Sequence, residues 1–130
     1  MIDLKKYDKI TYVVIGVAME VHKELGFGFL EQVYQKGMEA ELSLRGVYFL
    51  SQNPVKVFYK QKPIAVYVPD FLVSEVVVEI KALETVDYGQ IQQQIINYLV
   101  ATKKEVGLFI NFGKERLEYK RYVIPKKFQK

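Results

Sequence analysis

The chain has 130 residues, of which 19 are Lys or Arg, 15 are Asp or Glu, one is His and none is Cys. Half of the residues are hydrophobic and 26% are charged, which excludes a disordered or fibrous chain. The lack of Cys excludes disulfides, thiolate catalysis and Cys-ligated metals, and the single His22 excludes His-pair metal sites. At this length we expect one domain, residues 1–130, whose chemistry relies mainly on carboxylates, Lys and amides.

Two helices are predicted at the start of the chain. Residues 8–25 and 30–45 each carry apolar side chains at the spacing of one helical face, and glycines punctuate their ends. Together they are typical of an α-hairpin. Tyr34 lies on the apolar stripe of the second helix, which predicts a core position rather than a catalytic one.

The hydrophobic period then changes to that of strands. Residues 55–59 and 64–68 are predicted strands joined by a turn at residues 61–63. Residues 76–80 form an apolar run that only Glu79 interrupts, as in a strand buried on both faces. A third helix is predicted over residues 87–102, followed by strands at 107–112 and 117–124. The order ααβββαββ indicates an α/β fold in which helices flank a central mixed β-sheet.

The informative anomaly is a pair of charged residues in the most apolar predicted strand. Glu79 and Lys81 are two residues apart and therefore point to the same face. Asp70 lies nine residues before Glu79, near the end of the preceding predicted strand at 64–68, so an antiparallel return from that strand would bring the two carboxylates together. Such a pair can bind a hard divalent cation such as Mg²⁺, beside which a Lys could stabilise developing negative charge. A structural ion pair without a catalytic role explains the same pattern, and the spacing alone leaves both interpretations open.

Four motifs in order resemble those of a known family. The segment from Pro69-Asp70 to Glu79-Ile80-Lys81 resembles the PD-(D/E)xK phosphodiesterase signature of restriction-endonuclease-like folds. Gln94-x3-Tyr98 resembles the Gln-x3-Tyr motif of the exonuclease and helicase-nuclease branch of that superfamily. With two further segments, Gly28-x-x-Glu31-x-x-Tyr34 and residues 107–113, the chain resembles the small GxxExxY protein family from about residue 10 to residue 121.

The resemblance implies a restriction-endonuclease-like core preceded by a helical hairpin, and it implies a role for each matched residue. Asp70 and Glu79 would be the side-chain ligands of Mg²⁺ or Mn²⁺, with the Ile80 carbonyl as a third ligand. Lys81 would be the catalytic Lys. The remaining matched residues would complete the site: Glu31 at the metal centre, Gln94 orienting Lys81, a metal-bound water or the substrate backbone, and Tyr98 at a phosphate.

Two of these residues also have ordinary structural explanations. Glu31 can complement the dipole at the start of its helix. Gln94 belongs to a polar face of the third helix and can simply be exposed.

The charge distribution points to a polyanionic partner. Residues 103–130 hold nine basic and three acidic residues, a net charge of +6, on a body that is close to neutral. We therefore predict nucleic-acid contacts at Lys103, Lys104, Lys120 and Arg121. A basic terminus that only improves solubility is the alternative.

These observations predict a metal-dependent nuclease acting on DNA or RNA. The alternatives are a non-catalytic module that binds nucleic acid or protein, acting in a complex or as a homodimer, and a phosphatase-like enzyme. No apolar stretch is long enough to span a membrane, so no membrane partner is expected. The missing Cys and export signals predict a cytoplasmic protein.

Overall fold

A computed structural model describes residues 2–129 of the chain. Its α-helices are α1 (Lys5–Leu25), α2 (Glu31–Leu44) and α3 (Tyr88–Thr102), and a short 3₁₀ helix follows at Lys126–Phe128. The strands, in chain order, are β1 (Leu50–Ser51), β2 (Val55–Tyr59), β3 (Lys62–Tyr67), β4 (Phe71–Val73), β5 (Val76–Lys81), β6 (Val106–Asn111) and β7 (Glu118–Val123). Within the described range, no helix combines the length and apolar character needed to cross a membrane.

The main sheet is mixed. Its strand order is β1-β4-β5-β6-β7, in which β5 and β6 are parallel and every other neighbouring pair is antiparallel. Helix α3 makes the crossover that a parallel pair requires. Helices α1 and α2 pack on the opposite face of the sheet from α3. The predicted α/β fold, with helices on both sides of a central mixed sheet, is confirmed.

Strand β5 is buried on both faces, as its apolar run predicts. Val76, Val78 and Ile80 join the core beneath α1 and α2, whereas Val77 joins the core beneath α3. By alternation, Glu79 also lies on the α3 side of the sheet, and Lys81 follows it on the same face. The strand therefore delivers a carboxylate and an ammonium group to one end of the α3 face.

Several strand predictions were wrong in detail. The predicted strand at 64–68 is not the neighbour of β5, because β3 pairs with β2 in a separate two-stranded ribbon. The turn of this ribbon is Lys60-Gln61, with φ of 48° and 69° at the two residues, rather than residues 61–63. The true neighbours of β5 include β4, and β4 in turn pairs with β1. Both are two or three residues long, too short for alternation to reveal them.

Together, β1 to β4 form one bent hairpin. Ser51 pairs with Phe71 below the bend and Val55 pairs with Tyr67 above it. Residues 52–54 and 68–70 form the bend itself. The hairpin thus starts in the main sheet and turns away from it at Asp70.

Candidate active site

Two hydrogen bonds to the Asp70 carbonyl hold this residue at the bend. The Gln52 N–H donates to its carbonyl at 3.0 Å, and the side-chain amide of Gln35 donates to the same oxygen at 3.1 Å. Gln35 is buried on α2 and also donates to the Ser51 hydroxyl at 2.9 Å. Helix α2 therefore clamps the bend, and this fixes where the Asp70 side chain begins.

The side chains of Asp70 and Glu79 meet across the β4–β5 hairpin. The Asp70 N–H donates to Glu79 Oε1 at 3.1 Å, and the Ile80 N–H donates to Asp70 Oδ2 at 2.8 Å. The Glu79 and Asp70 carboxyl groups thus each accept a main-chain N–H across the hairpin, which places them side by side. The antiparallel return inferred from sequence spacing occurs, although β4 makes it rather than the strand predicted at 64–68.

Burial and like charge make this pair of carboxyl groups hold a proton. Burial, followed by the negative charge of Asp70, raises the pKa of Glu79 to about 9. Burial also raises the pKa of Asp70, against the opposing hydrogen bond from the Ile80 N–H. Because the two carboxyl groups cannot both ionise at neutral pH by themselves, a bound cation would stabilise the fully ionised pair.

A backbone carbonyl that has no ladder donor on β4 lies beside the pair. Two residues beyond the Phe71–Val78 pair, the β4–β5 register would align Pro69 with Ile80. Proline has no N–H, so it offers the Ile80 carbonyl no ladder hydrogen bond. The register thus leaves a carbonyl oxygen at the same edge as the two carboxylates.

Lys81 and Glu31 face each other across an open pocket of about 550 Å³. Glu31 is exposed, and partial desolvation raises the pKa of its carboxyl; Lys81 opposes this shift and Asp70 reinforces it, which places Glu31 within electrostatic reach of both. The pocket is lined by Glu31, Lys81, Leu83, Gln90, Ile91, Gln93, Gln94 and Asn97. Glu31 is the first residue of α2, as its predicted place at a helix start requires.

Helix α3 supplies the polar wall of this pocket. Gln90, Gln93, Gln94 and Asn97 are spaced at i, i+3, i+4 and i+7, so they form one stripe along the helix. Gln94 is half-buried, which excludes a merely exposed position. Sequence reasoning noted this polar face without assigning Gln90, Gln93 or Asn97 to the site, although their spacing was a readable signal.

Tyr98 continues the α3 wall toward the carboxylates. Burial, followed by the charge of Glu79, raises the pKa of its hydroxyl, while the Gln94 side chain counteracts the shift. Its ring meets that of Tyr67 edge to face, with 5.1 Å between centroids. Tyr67 is a neighbour of the site that the sequence did not reveal, because nothing in the sequence distinguishes it from other aromatic residues in strands.

Asn111 secures the chain that follows Lys81. The side chain of Asn111 accepts from the N–H groups of Leu83 and Gly113 at 2.9 and 3.1 Å, and it donates to the Leu83 carbonyl at 2.9 Å. A Cβ on Gly113 would lie 2.3 Å from the Leu83 nitrogen, so only glycine allows this approach. The ends of β5 and β6 are therefore locked together immediately behind Lys81.

Tyr34 secures the turn that precedes Glu31. Its hydroxyl donates to the Gly26 carbonyl at 2.7 Å and accepts from the Phe29 N–H at 3.3 Å. Its ring is fully buried and stacks on Phe112 with 4.6 Å between centroids. The predicted core position is confirmed, and the tyrosine fixes the loop from which Glu31 enters the pocket.

None of the four predicted basic contacts lines this pocket. Lys104 forms an ion pair with Glu75 at the opposite end of β5, and Arg121 pairs with Asp8 of α1. Lys103 ends α3 and is exposed. Lys120 lies over the rings of Tyr88 and Tyr122. The structure brings together Glu31, Asp70, Glu79, Lys81, Gln94 and Tyr98, but not these four residues.

The donor set fits a divalent metal that keeps part of its water shell. Among residues 2–129, no three His, Asp or Glu side chains are close enough to form a complete metal site. Two adjacent carboxyl groups and a backbone carbonyl are nevertheless the kind of oxygen ligands that Mg²⁺ takes, with waters or phosphate in the other positions.

Comparison with known proteins identifies the family. The family model for the PD-(D/E)XK nuclease superfamily matches residues 8–122. The chain belongs to the PD-(D/E)XK nuclease superfamily. Nucleases of this superfamily typically use divalent metal ions. No curated protein matches the chain significantly.

A solved structure shares the fold of this PD-(D/E)XK chain. The crystal structure of SSO0001 superposes with a TM-score of 0.57 at 17% sequence identity. The match covers 72% of this chain and 50% of SSO0001, so the chain spans about half the length of that protein. At this identity the likeness concerns the fold alone.

Proposed function

We propose that this protein is a divalent-metal-dependent nuclease that hydrolyses phosphodiester bonds of DNA or RNA. The observation that carries the proposal is the Asp70–Glu79 pair, whose carboxyl groups accept the Ile80 and Asp70 N–H groups, with Lys81 on the same strand face as Glu79 and an open pocket beside it. The superfamily to which the chain belongs supports it.

Asp70, Glu79 and the Ile80 carbonyl would hold Mg²⁺ or Mn²⁺. The bound ion would supply positive charge at the scissile phosphate and acidify a bound water. To bind it, Glu79 must release the proton that burial and Asp70 make it retain in the metal-free protein. Glu31 would lie on the opposite side of the pocket, near Asp70 and Lys81.

The other pocket residues would position and stabilise the substrate. The Lys81 ammonium group would stabilise the charge that develops on the phosphate, or orient the attacking water. Gln94 and the amides in line with it on α3 can donate to phosphate oxygens and accept from sugar hydroxyls. Tyr98 would support Gln94 or contact a phosphate. We further propose that the chain is a one-domain member of the GxxExxY group within its superfamily.

Metal titration combined with cleavage assays tests this function. Mn²⁺ and Mg²⁺ are titrated calorimetrically into the wild type and into the Asp70→Asn/Glu79→Gln variant. The same samples are incubated with single- and double-stranded DNA and RNA. Glu75→Gln is the matched control, because it removes an exposed carboxylate at the other end of β5.

The proposal predicts metal binding and cleavage by the wild type and by the control, and neither by the double variant. Metal binding without cleavage of any polymer, but with hydrolysis of small phosphoesters, would replace the nuclease with a phosphohydrolase. If the wild type binds no metal even with nucleic acid present, the carboxylate pair is structural and a non-catalytic binding module becomes the better account.

A further inference from the structure

The β2–β3 ribbon turns away from the main sheet and exposes its outer face. On β2, Lys56 and Phe58 are exposed, while the two valines that alternate with them are half-buried. On β3, Ile64 and Val66 are 63% and 56% exposed, and Val66 pairs with Lys56 across the ribbon. An apolar surface of this kind on an exposed element marks a binding face.

The positive charge of the ribbon favours a polyanionic partner. Residues 52–69 contain three lysines, Lys56, Lys60 and Lys62, and no Asp or Glu. None of the ion pairs found between residues 2 and 129 includes these lysines. Three unneutralised cations on one short ribbon are complementary to a polyanion.

The aromatic residues near the turn favour a single strand of nucleic acid. Phe58 and Tyr59 are 58% and 59% exposed, and the Lys60 ammonium group lies 5.4 Å from the centre of the Tyr59 ring. Phe58 and Tyr59 are consecutive in β2 and point to opposite faces of the ribbon, so both faces near the turn offer a ring that can stack on an unpaired base while the neighbouring lysines contact phosphates. A duplex buries the faces of its bases and offers the rings nothing to stack on.

The position of the ribbon connects this surface to the carboxylate pair. Tyr67, at the base of the ribbon and on the face opposite to Lys56 and Val66, packs against Tyr98 of α3, and Asp70 follows three residues later. From the Val55–Tyr67 pair to the turn, four residue steps span about 13 Å. This corresponds to about four stacked nucleotides at about 3.4 Å each.

We propose that the β2–β3 ribbon is the strand-binding arm of the active site, which holds single-stranded nucleic acid next to Asp70 and Glu79. The proposal rests on the nuclease function and adds the form of the substrate. Positive φ at both turn residues, Lys60 and Gln61, is the geometry of a tight two-residue hairpin turn, which fixes the adjacent rings in place.

The test measures binding of the full chain to a fluorescent single-stranded oligonucleotide and to its duplex, in a chelating buffer and over a series of salt concentrations. One variant replaces Phe58 and Tyr59 with Ala, and its matched control replaces Tyr12 and Tyr48, which are 79% and 78% exposed elsewhere. A further variant, Phe58→Leu, keeps an apolar side chain but removes a ring.

The lysines are tested in the same assay. The Lys56→Gln/Lys60→Gln/Lys62→Gln variant is compared with Lys5→Gln/Lys6→Gln/Lys9→Gln, which removes the same charge from α1 on the other face of the sheet. Circular dichroism and thermal melting establish that each variant is folded.

We expect the wild type to bind the single strand more tightly than the duplex. The Phe58/Tyr59 variant should lose about tenfold or more in single-strand affinity, and Phe58→Leu a smaller factor. The ribbon lysine variant should reduce the slope of log Kd against log salt by about 2. Both controls should behave as the wild type.

Three outcomes would contradict the proposal that the ribbon binds a single strand. They are wild-type affinity in both ribbon variants, equal losses in the controls, or a change of oligomeric state in the ribbon variants with nucleic-acid binding intact, which would make the face a protein interface. If the wild type binds metal and cleaves polymer while the ribbon variants are unaffected, only the arm fails. If the wild type neither binds metal nor cleaves, the nuclease function itself fails.

Discussion

The charged residues at the two ends of β5 have opposite kinds of environment. Just before the strand, Glu75 pairs with Lys104 at 2.8 Å, and the Glu75 side chain is 59% exposed. Near the end of the strand, Glu79 is 4% exposed and lies beside another carboxyl group, Asp70. The start of the strand therefore has an exposed pair of opposite charges, whereas its end has two carboxyl groups of the same charge type, one of them buried.

The difference distinguishes an ordinary surface ion pair from charged groups that belong to a functional site. An exposed ion pair contributes between zero and about 1 kcal/mol, so it can be lost at little cost. A buried pair of carboxyl groups opposes folding unless a proton or a cation neutralises it. Only the second arrangement lies beside an open pocket and a lysine, and this makes it the candidate for chemistry.

The largest expected effect is on catalysis and comes from Lys81. Lys81→Ala should lower the cleavage rate by about 100- to 1000-fold, because it removes a positioned cation from the developing phosphate charge. Metal binding should persist, since both carboxylates remain. Single-turnover cleavage assays measure this, with Lys9→Ala on α1 as the control. An unchanged rate in Lys81→Ala would remove this residue from the mechanism.

Next in size is the loss of the Asn111 lock between the ends of β5 and β6. Asn111→Ala removes three hydrogen bonds that this fully buried side chain makes to the main chain of Leu83 and Gly113. We expect a loss of about 2–4 kcal/mol in the free energy of unfolding. Urea denaturation measures it, with exposed Gln92→Ala as the control. Equal stability of the two variants would show that the loop holds its place without Asn111.

The carboxyl pair itself should make the metal-free protein less stable as pH rises. The pKa of Glu79 is about 9 in the folded chain against a usual value of 4.5. Its contribution is therefore fully present below about pH 4.5 and is lost as pH rises toward 9, because the unfolded chain ionises first. The expected slope is at most about 1.4 kcal/mol per pH unit.

Glu79→Gln isolates this contribution from other titrating groups. The variant should flatten the stability profile and exceed the wild type by at least about 1 kcal/mol at pH 8 in chelating buffer. Denaturation at pH 5, 6, 7 and 8 gives both profiles. Parallel curves for the two proteins would mean that Glu79 is ionised in the folded chain.

The smallest effect is expected at a surface pair. Arg121 and Asp8 are joined at 2.7 Å, with the Asp8 side chain 61% exposed. Asp8→Asn should change the free energy of unfolding by no more than about 0.5 kcal/mol, and high salt should remove the difference. Thermal or urea unfolding at low and high salt measures it. A loss of about 2 kcal/mol would show that this end of the molecule also depends on its charges.

The regular elements could be predicted because their signals are local. Helices α1 to α3 and strands β5 to β7 each carry a hydrophobic period long enough to read, and their bounds differ from the predictions by three residues or fewer. The short strands β1 and β4 could not be read, because two or three residues carry no period. The bend they create places Asp70, so the route by which it reaches Glu79 was misassigned.

By itself, the sequence determined which groups could act. It places Glu79 and Lys81 in an apolar strand, and the alternation of side chains then assigns them to one face whatever the rest of the fold. It also determined the fold class, since the order of periodic segments constrains how helices can cover a sheet.

The tertiary structure alone decided which of these groups share an environment. The pKa of Glu79 depends on burial and on Asp70, which are properties of packing and not of either residue. The amide stripe of α3 became the wall of a pocket only because α3 crosses the face that Lys81 occupies. The basic C-terminal residues, prominent in the sequence, do not line that pocket, since charge composition carries no information about position.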